Sequence, residues 1–232
     1  MRYFQIVMIV VLLWIAPQTF AQTQRFEGFA VELGYGSQKS ALNNGEIYDG
    51  SNVDQEFRIL SGSKRTSPAI VGLTYGFKLS DHLVVGLGLD YNGTPSAINS
   101  RCLPCTTPFI VEEKVRGRYG LYVTPGYSFS SNSLAYLKLG YSYARRGVSF
   151  SFVDGSSTSQ YPIKGGPSNH GTVVGIGYKQ FIMDQWYGFF DYSYTVQSGG
   201  NYKLIADANT SANWYSEKLR TELFMLGVGY KF

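Results

Sequence analysis

Six ionisable residues offer the most chemistry in this 232-residue chain: the acids Glu32, Asp90 and Asp191, and the bases Arg116, Arg118 and Lys138. Each occupies the minor, non-greasy parity of a segment in which bulky apolar residues alternate with small or charged ones. Isolated charges taken away from bulk water are very costly, so acids and bases enclosed together are expected to pair. The first expectation is a structural salt-bridge network, and the functional alternative is a narrow ion path or gate. A second constellation is Cys102-Leu-Pro-Cys105. In oxidising surroundings these two thiols are expected to form a local disulfide that stiffens a loop tip. Two Cys with no nearby His do not make a zinc site, and a redox-active pair belongs at a helix start, which nothing here indicates. The third is His170-Gly-Thr172. It is a weak candidate for acyl chemistry, because Thr replaces Ser and no acid is evidently placed to orient the imidazole. His82 falls in a turn and is expected to be solvated. No catalytic set, cofactor or metal is expected.

The elements that must position these residues are strands. Side chains on a strand point to alternate faces with period two. Phe29, Val31, Leu33 and Tyr35 alternate with Ala30, Glu32 and Gly34; Leu137, Leu139, Tyr141 and Tyr143 alternate with Tyr136, Lys138, Gly140 and Ser142. Phe224, Leu226, Val228, Tyr230 and Phe232 form the bulky face of the last segment against Met225, Gly227, Gly229 and Lys231. Eight such segments run along the chain, the others centred near Leu73, Leu87, Leu121, Ile176 and Tyr192. In the fourth, Val115 is assigned to the bulky face and Arg116 and Arg118 to the other.

Connections between segments alternate in length. Leu79 to His82, Ser130 to Ser133 and Ile182 to Gln185 are tight and rich in turn-forming residues. Ser37 to Ser67, Gly93 to Lys114, Val148 to Asn169 and Ser198 to Lys218 are long. Long connections on every second link all emerge at one end. The bulky-face aromatics also sort into two levels, with Tyr35, Tyr91, Tyr119 and Tyr141 near the long loops and Phe77, Tyr127, Trp186 and Phe232 near the tight turns. Two aromatic girdles around an aliphatic band are what two membrane–water interfaces select. A soluble ligand-binding barrel would put the bulky set inside as its pocket; a pocket lined instead by the other set, with Glu32, Asp90, Arg116, Arg118, Lys138, Lys179 and Asp191, would hold no greasy ligand, and an exterior made of the bulky set would not dissolve.

The N-terminus fits secretion. Arg2 precedes an apolar run from Ile6 to Ile15, and Thr19 and Ala21 are the small residues a signal peptidase reads. Residues 1–21 are expected to be a cleaved signal peptide and 22–232 a single barrel domain. Gln22 in place of Cys argues against a lipoprotein. A net charge of +4 is too small to argue for a nucleic-acid partner, and 27 Gly, 19 Tyr and 15 Phe make an all-β composition.

On Tyr136-Leu-Lys-Leu-Gly-Tyr-Ser-Tyr143, Gly175-Ile-Gly-Tyr178, Phe190-Asp-Tyr-Ser-Tyr194 and Gly227-Val-Gly-Tyr-Lys-Phe232, the chain resembles the OmpA-type and OmpX-like outer-membrane β-barrels of the opacity and porin superfamily. The expected fold is all-β: an eight-stranded antiparallel up-and-down transmembrane β-barrel with short periplasmic turns and four long extracellular loops, in the bacterial outer membrane. The resemblance implies a monomer whose last strand (Phe224, Leu226, Val228, Tyr230, Phe232) is read by the barrel assembly machinery. Expected partners are outer-membrane lipid or lipopolysaccharide and an extracellular protein or surface ligand met by the loops. The function expected is non-enzymatic, in surface interaction, adhesion or envelope structure. The alternatives are a narrow solute channel and, further off, a lipid A-modifying barrel in which His170 would act. In the fourth loop, Tyr202, Trp214, Tyr215 and nearby Lys residues are expected either to face lipopolysaccharide or a partner, or to pack loop on loop and against the membrane interface. Val148, Phe150 and Phe152 are expected to carry the fifth strand beyond the membrane as a hairpin edge open to strand addition.

Overall fold

Alternation at period two does produce long strands. The structure, a computed structural model, describes residues 23–42, 45–49, 56–59, 62–101, 109–154, 157–162, 169–207, 210–216 and 218–232. Eight strands form the wall: β1 (Gly28–Leu42), β2 (Ala69–Lys78), β3 (Leu83–Asn92), β4 (Phe109–Ser130), β5 (Ser133–Asp154), β6 (Asn169–Phe181), β7 (Trp186–Gln197) and β8 (Leu219–Lys231). Each pairs antiparallel with its sequence neighbours. The ring closes because β8 returns to β1, from Ala30 opposite Lys231 to Leu42 opposite Leu219. Closure satisfies the backbone groups that an open sheet would expose to lipid.

The bulky set faces outward. Leu33, Leu87, Leu121, Leu139, Ile176 and Leu226 are all exposed, between 46% and 57%. A belt of that kind is stable only against lipid. Its two rims are aromatic. At the outer rim Tyr91 and Tyr119 lie 4.9 Å apart. At the inner rim Tyr127 meets Phe129 at 5.2 Å, and Tyr230 meets both Trp186 and Phe232 at 5.0 Å.

Much of the sequence expected to be loop is strand. β1 continues to Leu42 and carries Lys39; its outer part pairs with Ser63–Thr66. β4 and β5 each run 22 residues, well past the rim, flanked by the short strands Ser96–Arg101 and Ser157–Pro162. The expected hairpin edge on β5 is therefore occupied by Ser157–Pro162. Segments of the first and fourth loops make a separate four-stranded sheet in the order Gly200–Asp207, Thr210–Ser216, Gly45–Asp49, Glu56–Ile59. Residues 1–22, with the expected signal peptide, and Cys102 and Cys105 lie outside the described residues.

One parity expectation is overturned. A bulge between Arg116 and Tyr119 shifts the register of β4 against β5. Gly117 sits there with φ +55, a left-handed conformation that suits glycine. The extra residue inverts the faces beyond it, so Val115 is buried at 3% and Arg116 is exposed on the outer wall. Arg116 is not a lumen residue. The alternation on β5 also changes content: Ala144 and Val148 continue the inward set of Tyr136 and Lys138 and are buried.

Candidate functional site

The inward set fills the barrel in layers. At the periplasmic mouth a 3-10 turn, Thr23–Phe26, folds beneath the wall. Phe26 packs on Phe181 at 5.1 Å, and Arg25 reaches Asn132 at 2.9 Å and Asp184 at 3.3 Å in two of the tight turns. Phe26, Ala30, Val84, Leu134, Phe181, Tyr187 and Phe189 belong to one buried apolar cluster above this turn.

The next layer holds the charges. Lys138 Nζ on β5 lies 3.2 Å from Asp90 on β3 and 3.5 Å from Asp191 on β7. Lys179 on β6 pairs with Glu32 on β1 at 2.5 Å. Three tyrosines complete the set. Tyr187 donates to Glu32 at 2.6 Å, Tyr136 donates to Asp191 at 3.1 Å, and the Tyr122 ring lies 4.1 Å from Lys138 Nζ. The long side chains reach across because glycines stand beside them. Glu32 is flanked by Gly72 and Gly229, Asp90 by Gly72 and Gly120, and Asp191 by Gly177. A Cβ on Gly229 would overlap the Tyr187 ring, and one on Gly177 the Tyr136 ring. The void left among Glu32, Asp90, Lys138, Lys179 and Asp191 is about 10 Å³, the room of roughly one water.

Above the charges lies an amide and hydroxyl layer. Arg118 donates to Gln38 at 3.1 Å and to Thr221 at 3.4 Å, and Asn92 donates to Gln38 at 3.0 Å. An apolar cap of Leu42, Ile98, Val115, Ala144 and Leu219 follows, each 7% exposed or less. Beyond it Arg146 pairs with Glu113, both buried.

Of the six residues expected in the interior network, Asp90, Lys138 and Asp191 are brought into direct contact. Glu32 joins through Lys179 and Tyr187. Arg118 occupies the polar layer above them, and Arg116 is outside. Lys179, Tyr122, Tyr136 and Tyr187 were missed as members of the network, although their parity on the segments placed them inward. The inward apolar caps were missed as well. His170 lies at the outer rim, exposed, with its ring 5.4 Å from Tyr141 and 5.5 Å from Tyr143. His82 stacks on Tyr127 at 5.6 Å in the first tight turn.

Comparison with known proteins agrees with this architecture. Residues 7–232 match the family described as outer membrane protein beta-barrel domain. No curated protein matches the chain. Among solved structures, the outer membrane protease OmpT from Escherichia coli aligns at 10% identity over 93% of this chain and 99% of its own, with a TM-score of 0.51. The outer membrane protein OprG from Pseudomonas aeruginosa aligns at 13% identity over 93% and 99%, with a TM-score of 0.50. Ail, the attachment invasion locus protein of Yersinia pestis, aligns at 13% identity over 89% and 99%, with a TM-score of 0.42. For OmpT and OprG the likeness is one of fold alone.

Proposed function

This chain belongs to the outer membrane protein β-barrel domain family and resides in the bacterial outer membrane, and from that premise we propose that it is a non-enzymatic, non-conducting barrel that acts through its extracellular part. The observation that carries this reading is the sealed interior. A void of about 10 Å³ at the charged layer, with apolar clusters toward both mouths, leaves no room for a hydrated ion. The interior charges neutralise one another in the wall and reach no substrate. The described segments of the extracellular part, by contrast, are mostly strands. β4 and β5 rise above the rim, and segments of two loops distant in sequence join in one sheet. A sheet assembled from separate loops is a firm surface for contact with another protein, a surface glycan or a neighbouring envelope component. The closed wall leaves no open strand edge in the membrane, which favours a monomer, and the β8 aromatics fit recognition by the assembly machinery.

Planar-bilayer recording of the refolded protein tests the sealed interior, and silent membranes are expected. Discrete openings that disappear when Lys138 or Asp191 is replaced would overturn the reading in favour of a channel. Capture of a surface partner by the intact protein, lost when residues 45–59 and 200–216 are trimmed, is the positive result expected.

A further inference from the structure

The bulge that turns Arg116 outward creates a feature that the interior does not use. Arg116 on β4 stands directly opposite Arg145 on β5. Both are exposed, and neither guanidinium has a hydrogen-bond or ion-pair partner among the described residues. Like charges directly opposite on paired strands are destabilising. A third base, Lys114, lies on the same face, where Glu112 holds it at 2.8 Å and Ser149 also bonds Glu112 at 3.4 Å. These bases line an open cleft of about 760 Å³ on the outer wall, with Tyr91 and Tyr119 at its lower edge.

The level of the cleft identifies what it meets. Tyr91 and Tyr119 belong to the outer aromatic girdle, which marks the edge of the hydrocarbon. Arg145 lies two residues beyond Tyr143 and Arg116 three beyond Tyr119, both away from the membrane core. At about 3.3 Å per residue and a tilt of about 40° this is roughly 5 Å above the girdle or more, at headgroup depth. Paired guanidiniums bind phosphate in bidentate fashion and so remove their mutual repulsion.

We propose that the Lys114–Arg116–Arg145 cleft binds a phosphate of a phosphorylated outer-leaflet glycolipid, whose acyl chains run down the wall past Tyr91 and Tyr119. Arg116 and Arg145 grip the phosphate. Lys114, held by Glu112, adds positive field at the rim of the cleft.

The test uses the full barrel in phosphatidylcholine nanodiscs carrying either diphosphoryl lipid A or the same lipid with both phosphates removed, with co-purifying lipid read by native mass spectrometry. Retention of the phosphorylated lipid is expected to exceed that of the dephosphorylated one by about tenfold or more, the worth of one or two charge-assisted bonds. R116Q/R145Q is expected to lose that difference. R220Q, which removes an exposed arginine on β8, is expected to keep it. Equal retention of the two lipids by the native protein overturns the proposal without reference to any variant, as does undiminished retention by folded R116Q/R145Q. Full displacement of lipid A by millimolar inorganic phosphate overturns the assignment to a lipid and makes the cleft a free-phosphate site.

Discussion

Lys138 reaches Asp191 at 3.5 Å over the top of Gly175 and Gly177, since its own strand and that of Asp191 are separated by β6. The contact therefore ties next-nearest strands, which the backbone ladder does not do. Lys138 is 3% exposed and Asp191 2%. Buried Asp191 and part-exposed Asp90 share this one ammonium, so its removal leaves Asp191 buried without its cation.

Lys138→Met is expected to destabilise the barrel by about 3–5 kcal/mol, the cost of breaking a buried ion pair from one side. Adding Asp191→Asn should restore part of that loss, since it removes one orphaned charge. Urea unfolding in phospholipid vesicles, followed by tryptophan fluorescence, measures both. A single-variant loss below about 1 kcal/mol would class the pair with exposed salt bridges.

Gly177→Val should lower stability by about 1–3 kcal/mol through overpacking against the Tyr136 ring. Gly147→Ala is the matched control, because a Cβ there meets nothing and the backbone is not left-handed. Equal effects at the two sites would mean that the ring does not lie over the glycine.

Leu139→Arg places a charge in the middle of the lipid-facing band and is expected to cost about 2–4 kcal/mol, whereas Tyr35→Arg at the outer rim should cost about 0–1 kcal/mol. The same unfolding assay reads the difference. Equal costs would place both positions at one depth and contradict the girdle assignment.

Ile47 and Trp214 are directly opposed where the first and fourth loops pair. Opposed residues on antiparallel strands have Cα atoms about 4.5–5.5 Å apart, within reach of a disulfide. I47C/W214C, in a background lacking Cys102 and Cys105, should form an intramolecular disulfide on mild oxidation, seen by mass spectrometry of the linked peptides. Absence of the link would show that the two loops do not share a sheet.

The eight wall strands, their directions and the outward face of each, save the outer part of β4, were legible because lipid imposes one strong rule on every second residue. Leu87 and Leu139 obey it without exception. The interior was less legible, since a lumen accepts glycine, charge, hydroxyl or aromatic so long as the volumes interlock. Tyr122 and Lys179 are inward by parity, but which acid each meets depends on how far neighbouring strands are staggered, and that is not local information. Arg116 failed for a specific reason. A bulge of one residue inverts parity, and the sequence Val115-Arg116-Gly117-Arg118-Tyr119 can be read in register through it on either side. The strands within the loops escaped notice because their pairing partners are long-range, as with Gly45–Asp49 and Thr210–Ser216.

Because the first wall strand finds one of its two neighbours only in the last, the opening residues wait for nearly the entire polypeptide to be made before their ladder is complete. A partly paired sheet lacking that seam would have two open margins, β1 and β8, both rich in apolar side chains. Closure also means that damage near Phe232 is felt at Phe29, two hundred residues away in the chain and adjacent at the seam, where the rings lie 5.7 Å apart.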